Sequence, residues 1–71
     1  MQHDQDHIAE VWIMTRADEE LTIELYRDGE TIHVEGGNGE AYSGSRGEIT
    51  NSLIPVYVLA GWTLTDNYET A

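Results

Sequence analysis

Apolar and polar positions alternate through the middle of the chain. From Leu21 to Arg27, Leu21, Ile23 and Leu25 fall on one side and Thr22, Glu24 and Tyr26 on the other. Glu30 to Glu35 alternates again, with Ile32 and Val34 set against Thr31, His33 and Glu35. A period of two describes a sheet buried on one face. Between the two runs stands Asp28-Gly29, a pair that favours a two-residue type I′ hairpin because both residues tolerate positive φ. That turn sets Leu25 opposite Ile32, Glu24 opposite His33, Ile23 opposite Val34 and Thr22 opposite Glu35. All five apolar residues then share one face, so turn chemistry and pattern agree.

Upstream, Ile8 to Arg16 is rich in β-branched and aromatic residues and reads as a further strand, joined to the hairpin by a polar connection, Ala17-Asp18-Glu19-Glu20. A connection symmetric about Asp18-Glu19 puts Met14 opposite Ile23 and Trp12 opposite Leu25 in the core, leaving Val11 and Ile13 on the outer face. A one-residue bulge reverses this. In both cases the strand is apolar on both sides, so it is covered or carries an exposed apolar patch.

Gly36 to Gly47 holds five glycines in twelve residues and reads as a loop, with Arg46 its one cation. It has no G-x-G-x-x-G and no Gly-Lys-Ser/Thr, so a phosphate cradle is not indicated. Ser45 and Glu48 have capping-box spacing. Beyond them Ile49, Leu53, Val56, Tyr57 and Ala60 recur at helical spacing, and Gly61 sits where a left-handed helix cap is wanted. Pro55 opposes a regular helix, and the segment 53–60 has strong β composition. The reading is a short or kinked helix ending at Ala60, with a strand as the alternative. Trp62 to Thr65 alternates as a last strand.

The fold class is therefore α+β: a small antiparallel sheet of three to four strands, ordered β-β-β-α-β, with one short helix packed on one face; the alternative is all-β. Residues 1–7 are read as a disordered tail, 8–66 as a single small domain and 67–71 as a frayed end. The stretch Leu59-Ala60-Gly61-Trp62-Thr63-Leu64 resembles the closing segment of several small ββαβ proteins. Among these are bacterial domains of unknown function with a Gly-Trp-Glu-Leu tail and the small RNA-polymerase inhibitors of short-tailed phages. The resemblance covers about a dozen residues, and the strand around Ile32 and Pro55 depart from it. It implies the α+β class and no residue roles.

Composition narrows the function. The 71 residues contain no Cys and no Lys, three Arg and fourteen Asp or Glu, for a formal net charge of −11. Without cysteine there is neither a disulfide framework nor a thiolate metal site. No stretch reads as a membrane span or secretory leader, so the expected compartment is cytoplasmic. With only Arg16, Arg27 and Arg46 to meet phosphates, neither nucleic acid nor anionic membrane is expected as a direct ligand. Ser43, Ser45 and Ser52 have no histidine nearby in sequence, and carboxylate pairs arise by chance among fourteen, so an enzyme is not expected. His3 and His7 offer a loose metal-binding pattern in the tail, better read as part of that tail. No cofactor and no metal site are called for.

What remains is the outer face of the hairpin, Thr22, Glu24, Tyr26, Thr31, His33 and Glu35, with Glu19 and Glu20 near one end. Glu24 opposite His33 predicts a carboxylate–imidazole pair. Carboxylates to meet Arg and Lys, and an aromatic anchor, suit a basic protein surface. The expected binding residues are Glu19, Glu20, Glu24, Tyr26, His33 and Glu35. The expected function is that of a non-catalytic acidic inhibitor occupying a nucleic-acid-binding site, a nucleic-acid mimic of the phage anti-host or anti-CRISPR kind. The alternative is an accessory or structural domain of a halophilic organism that self-associates, for example as a homodimer.

Overall fold

The computed structural model describes residues 7–36 and 41–70, with side chains from 7–36 and 43–70. Among the described residues, five strands form one antiparallel sheet: β1 (Ile8–Arg16), β2 (Glu19–Tyr26), β3 (Thr31–Glu35), β4 (Ala41–Ser43) and β5 (Thr63–Glu69). Their spatial order is β4-β3-β2-β1-β5, so the first four make a meander and β5 returns to lie beside β1. The α+β class holds, with one strand more than the pattern predicts. That strand, β4, lies inside the stretch read as loop, where Ala41-Tyr42-Ser43 interrupts the glycines and pairs with β3.

The apolar side chains lie as the alternation dictates. Trp12, Met14, Leu21, Ile23, Leu25, Ile32 and Val34 form one buried cluster with Ile49 and Trp62, and Leu53, Ile54 and Tyr57 pack against it. The β2–β3 register is the predicted one, Glu24 opposite His33 and Ile23 opposite Val34. The turn that produces it is not type I′. Gly29 has φ +77, but Ala17 is the one non-glycine with positive φ among the described residues, so Asp28 does not share that geometry. The Gly29 amide donates to the Tyr26 carbonyl. The Asp28 carboxylate accepts from the Glu30 amide at 2.8 Å, the Thr31 amide at 2.9 Å and the Thr31 hydroxyl at 2.7 Å. A side chain that satisfies three donors holds a four-residue loop in the register a two-residue turn would give.

The β1–β2 connection is centred one residue earlier than Asp18-Glu19. Arg16 pairs with Glu19, Met14 with Leu21 and Trp12 with Ile23, leaving only Ala17-Asp18 in the turn. The shift by one pair keeps parity, so Trp12 and Met14 stay in the core. The bulge comes near the start of β1, between Ile8 and Glu10, and turns Glu10 toward the core side opposite Leu25.

The helical segment runs through three pieces: α1 (Arg46–Glu48), a π-helical turn (Ile49–Leu53) and α2 (Ile54–Leu59). Pro55 supplies no amide for an α-helical bond. The chain accommodates it in the first turn of α2, just after the widened turn in which the Ile54 amide bonds the Ile49 carbonyl five residues back. Ser45 occupies the N-cap, but its side chain makes no capping bond, so the capping box does not form. The C-terminal end follows prediction closely. Gly61 has φ +98, its amide bonds the Val58 carbonyl, and the Trp62 amide bonds the Tyr57 carbonyl. That is a Schellman closure, completed by an edge-to-face contact of Tyr57 and Trp62 with centroids 6.3 Å apart.

The last strand continues to Glu69, past the end expected at Thr65. Its pairs with β1 reach from Thr63 opposite Thr15 to Glu69 opposite Glu10, with a register shift between Ile13 and Met14. The Asn67 carboxamide donates to the Val11 carbonyl at 3.0 Å, the Thr70 amide donates to the Ala9 carbonyl and the Thr70 hydroxyl to the Ile8 carbonyl. These bonds tie Asn67 and Thr70 to the edge of β1, within the stretch read from sequence as a frayed end. The tail assigned to residues 1–7 lies, for 1–6, outside the described residues.

Candidate functional site

The two faces of the sheet differ in charge. On the helix face the cations are paired. Glu10, buried at 5 % exposure, receives Arg46 through Nε at 2.6 Å and Nη2 at 3.2 Å, and the Asn67 carboxamide at 3.1 Å. The Arg46 guanidinium holds the Glu10 carboxyl below the usual range, against the opposing effect of burial. Arg16 donates to Glu19 at 3.0 and 3.1 Å and to the Ala60 carbonyl at the end of α2, and lies over the Trp62 ring with its guanidinium carbon 4.6 Å from the centroid. Arg27, in the β2–β3 loop, donates to the Thr70 hydroxyl.

The opposite face carries Glu20, Thr22, Glu24 and Tyr26 from β2 and Thr31, His33 and Glu35 from β3. Cross-strand register adds Val11 and Ile13 from β1 and Asp66 and Tyr68 from β5. Val11 is buried and Ile13 half-buried, so the apolar side of β1 forms a floor between polar strands. Tyr68 is 48 % exposed. Arg16 and Arg46, by contrast, pair on the helix face. The His33 Nδ1 sits 3.1 Å from Glu24 Oε1, the pair that the register predicts. Glu35, two residues beyond His33 on the same strand, completes a group whose potential ligand atoms lie within 4.8 Å of one another.

Of the residues singled out from sequence, Glu20, Glu24, Tyr26, His33 and Glu35 come together on this outer face. Glu19 does not. Its pairing with Arg16 puts it on the helix face, where the Arg16 guanidinium offsets its charge. The reason is parity: alternation carried back from Leu21 places Glu19 on the apolar side and Glu20 on the polar one. Sequence reasoning missed Asp66 and Tyr68, which the β5 pairing brings in.

A shallow groove between the helical segment and the sheet is lined by Ile32, Ser43, Glu48, Ser52, Leu53 and Val56. Its one titratable lining group is Glu48. No helix among the described residues is long and apolar enough to cross a membrane. Comparison with models of known protein families, with characterised proteins and with solved structures finds no match.

Proposed function

We propose that the protein is a non-catalytic interaction module whose outer sheet face docks on a basic protein surface, one built to hold nucleic acid. In that role it acts as an inhibitor and nucleic-acid mimic, the strategy of small phage-encoded anti-host and anti-CRISPR proteins. The observation that carries this reading is the segregation of charge. Arg16 and Arg46 are paired on the helix face and Arg27 is bound to Thr70 at the end of the sheet, while Glu20, Glu24, Glu35 and Asp66 share the opposite face. Carboxylates in such an array steer a positive surface and resist competing anions. Tyr26 and Tyr68 supply amphipathic rings of the kind that anchor interfaces, and the half-buried Ile13 an apolar contact beside them. The reading does not extend to Glu19.

The direct test is titration of a fluorescent oligo-arginine peptide into the protein in the presence of EDTA, repeated across ionic strengths. Binding is expected to weaken steeply with salt and to fall at least roughly tenfold when Glu20, Glu24 and Glu35 are changed together to Gln. Glu19→Gln, on the other face, should leave it unchanged. Equal binding by the triple variant would overturn the proposal. Circular dichroism at low salt separates the halophilic alternative, which requires the domain to unfold as salt is withdrawn.

A further inference from the structure

We propose that Glu24, His33 and Glu35 form a binding site for a divalent transition-metal ion of the Zn²⁺ class. The site goes beyond the docking face proposed above, because ion binding needs no protein partner. Glu24 and His33 are directly opposed across β2 and β3, and Glu35 follows His33 on the same side of β3. Cross-strand neighbours stand about 5 Å apart at Cβ and same-face neighbours along a strand about 7 Å, spans that Glu and His side chains close between them. Their potential ligand atoms already lie within 4.8 Å of one another.

One edge of the coordination shell is formed at the right length. Bonds of about 2.0–2.1 Å to zinc imply ligand-to-ligand separations of about 2.9 Å in an octahedral and 3.3 Å in a tetrahedral shell. The Nδ1···Oε1 separation of 3.1 Å falls between them. The ion replaces the proton that these two atoms share, and the imidazole binds in its neutral form. Glu35 is exposed and closes the third position by side-chain rotation. An imidazole beside two carboxylates selects Zn²⁺ and its neighbours over Ca²⁺ or Mg²⁺, which prefer all-oxygen shells. The surrounding charge also favours a cation, since Glu20 and Asp66 share the face. Three protein donors leave at least one position to solvent.

The test is calorimetric titration of Zn²⁺ alone into the full chain, paired with NMR of the histidine ring protons. One equivalent is expected to bind and to perturb His33. His33→Ala should abolish this event, and Glu35→Gln should weaken it by about tenfold or more, with amide spectra confirming that both variants fold. Glu48→Gln should bind like the parent chain. The double variant His3→Ala/His7→Ala should retain the site, which separates it from the N-terminal histidines. Undiminished binding by His33→Ala, loss in the His3/His7 variant, or no binding by the parent chain would each overturn the assignment. The peptide titration in EDTA reads the docking face without any metal, so each proposal can fail alone.

Discussion

Arg46 reaches from the first turn of the helical segment to Glu10 on β1, closing a two-pronged ion pair at 2.6 and 3.2 Å over the Trp12 ring. The carboxylate is buried and the guanidinium half-exposed, with the Asn67 carboxamide on the second oxygen. The pair therefore joins the helix to β1 and β5 at one point, and it contributes to the acid behaviour of the fold.

Glu10 is held below the ordinary glutamate value of 4.5, chiefly by its bond to Arg46. A depressed folded value stabilises the fold fully above the unfolded one, and that stabilisation is lost as pH falls through the folded value. Glu10→Gln should thus lower the urea midpoint at neutral pH. The gap from the parent chain should close well below pH 4.5, where both carry a neutral group. A gap that persists unchanged in acid would mean that the ion pair is not its source. Asp28, lowered by the Thr31 hydroxyl and the Glu30 amide, behaves in the same sense.

Two positions with positive φ should respond in opposite directions. Ala17 has φ 55 in a two-residue turn, where a Cβ costs about 1–2 kcal/mol. Ala17→Gly is expected to recover part of this, offset by the greater freedom of glycine in the unfolded chain, for a net gain of up to about 1 kcal/mol. Gly61→Ala should cost about 1–2 kcal/mol, because φ +98 is closed to a side chain even though the space around it is open enough. Thermal denaturation of the two variants checks both signs.

Ile49 is the fully buried residue of the helical segment. Ile49→Ala should destabilise by about 2–5 kcal/mol and Ile49→Val by about 0.5–1.5 kcal/mol. Chemical denaturation measures the difference. A loss confined to helical signal, with the sheet retained, would show that the segment melts separately.

The outer face should be overcharged for stability alone. Changing Glu20, Glu35 and Asp66 to their amides is expected to raise the melting temperature at low ionic strength, by repulsion relieved between like charges. The gain should shrink as salt shortens the screening length. An unchanged melting temperature at every salt concentration would show that these groups do not feel one another.

The apolar face was legible because period two leaves no choice: Leu21, Ile23, Leu25, Ile32 and Val34 share a side in any antiparallel register that keeps parity. The helix end was legible for a similar reason, since Gly61 and Trp62 carry a local hydrogen-bond pattern. The β2–β3 register survived a different turn because the Asp28 side chain substitutes for the backbone geometry expected there. What escaped was non-local. The partnership of Glu10 with Arg46 depends on a bulge at the start of β1 and on where the helix begins. The inclusion of Asp66 and Tyr68 on the outer face depends on β5 crossing back beside β1. Glu19 was misplaced although strict alternation from Leu21 marks its side.

The strand order has a kinetic meaning. Strands β1 to β4 can pair in succession, each with its neighbour in the chain, but β5 must find β1 across a separation such as the 52 residues between Thr65 and Ile13. Closing so long a segment costs chain entropy before any contact offsets it. Local pairing of the meander carries no such cost. Without β5 the β1 edge is an open row of backbone donors and acceptors, so docking of the last strand also removes a template for misassembly.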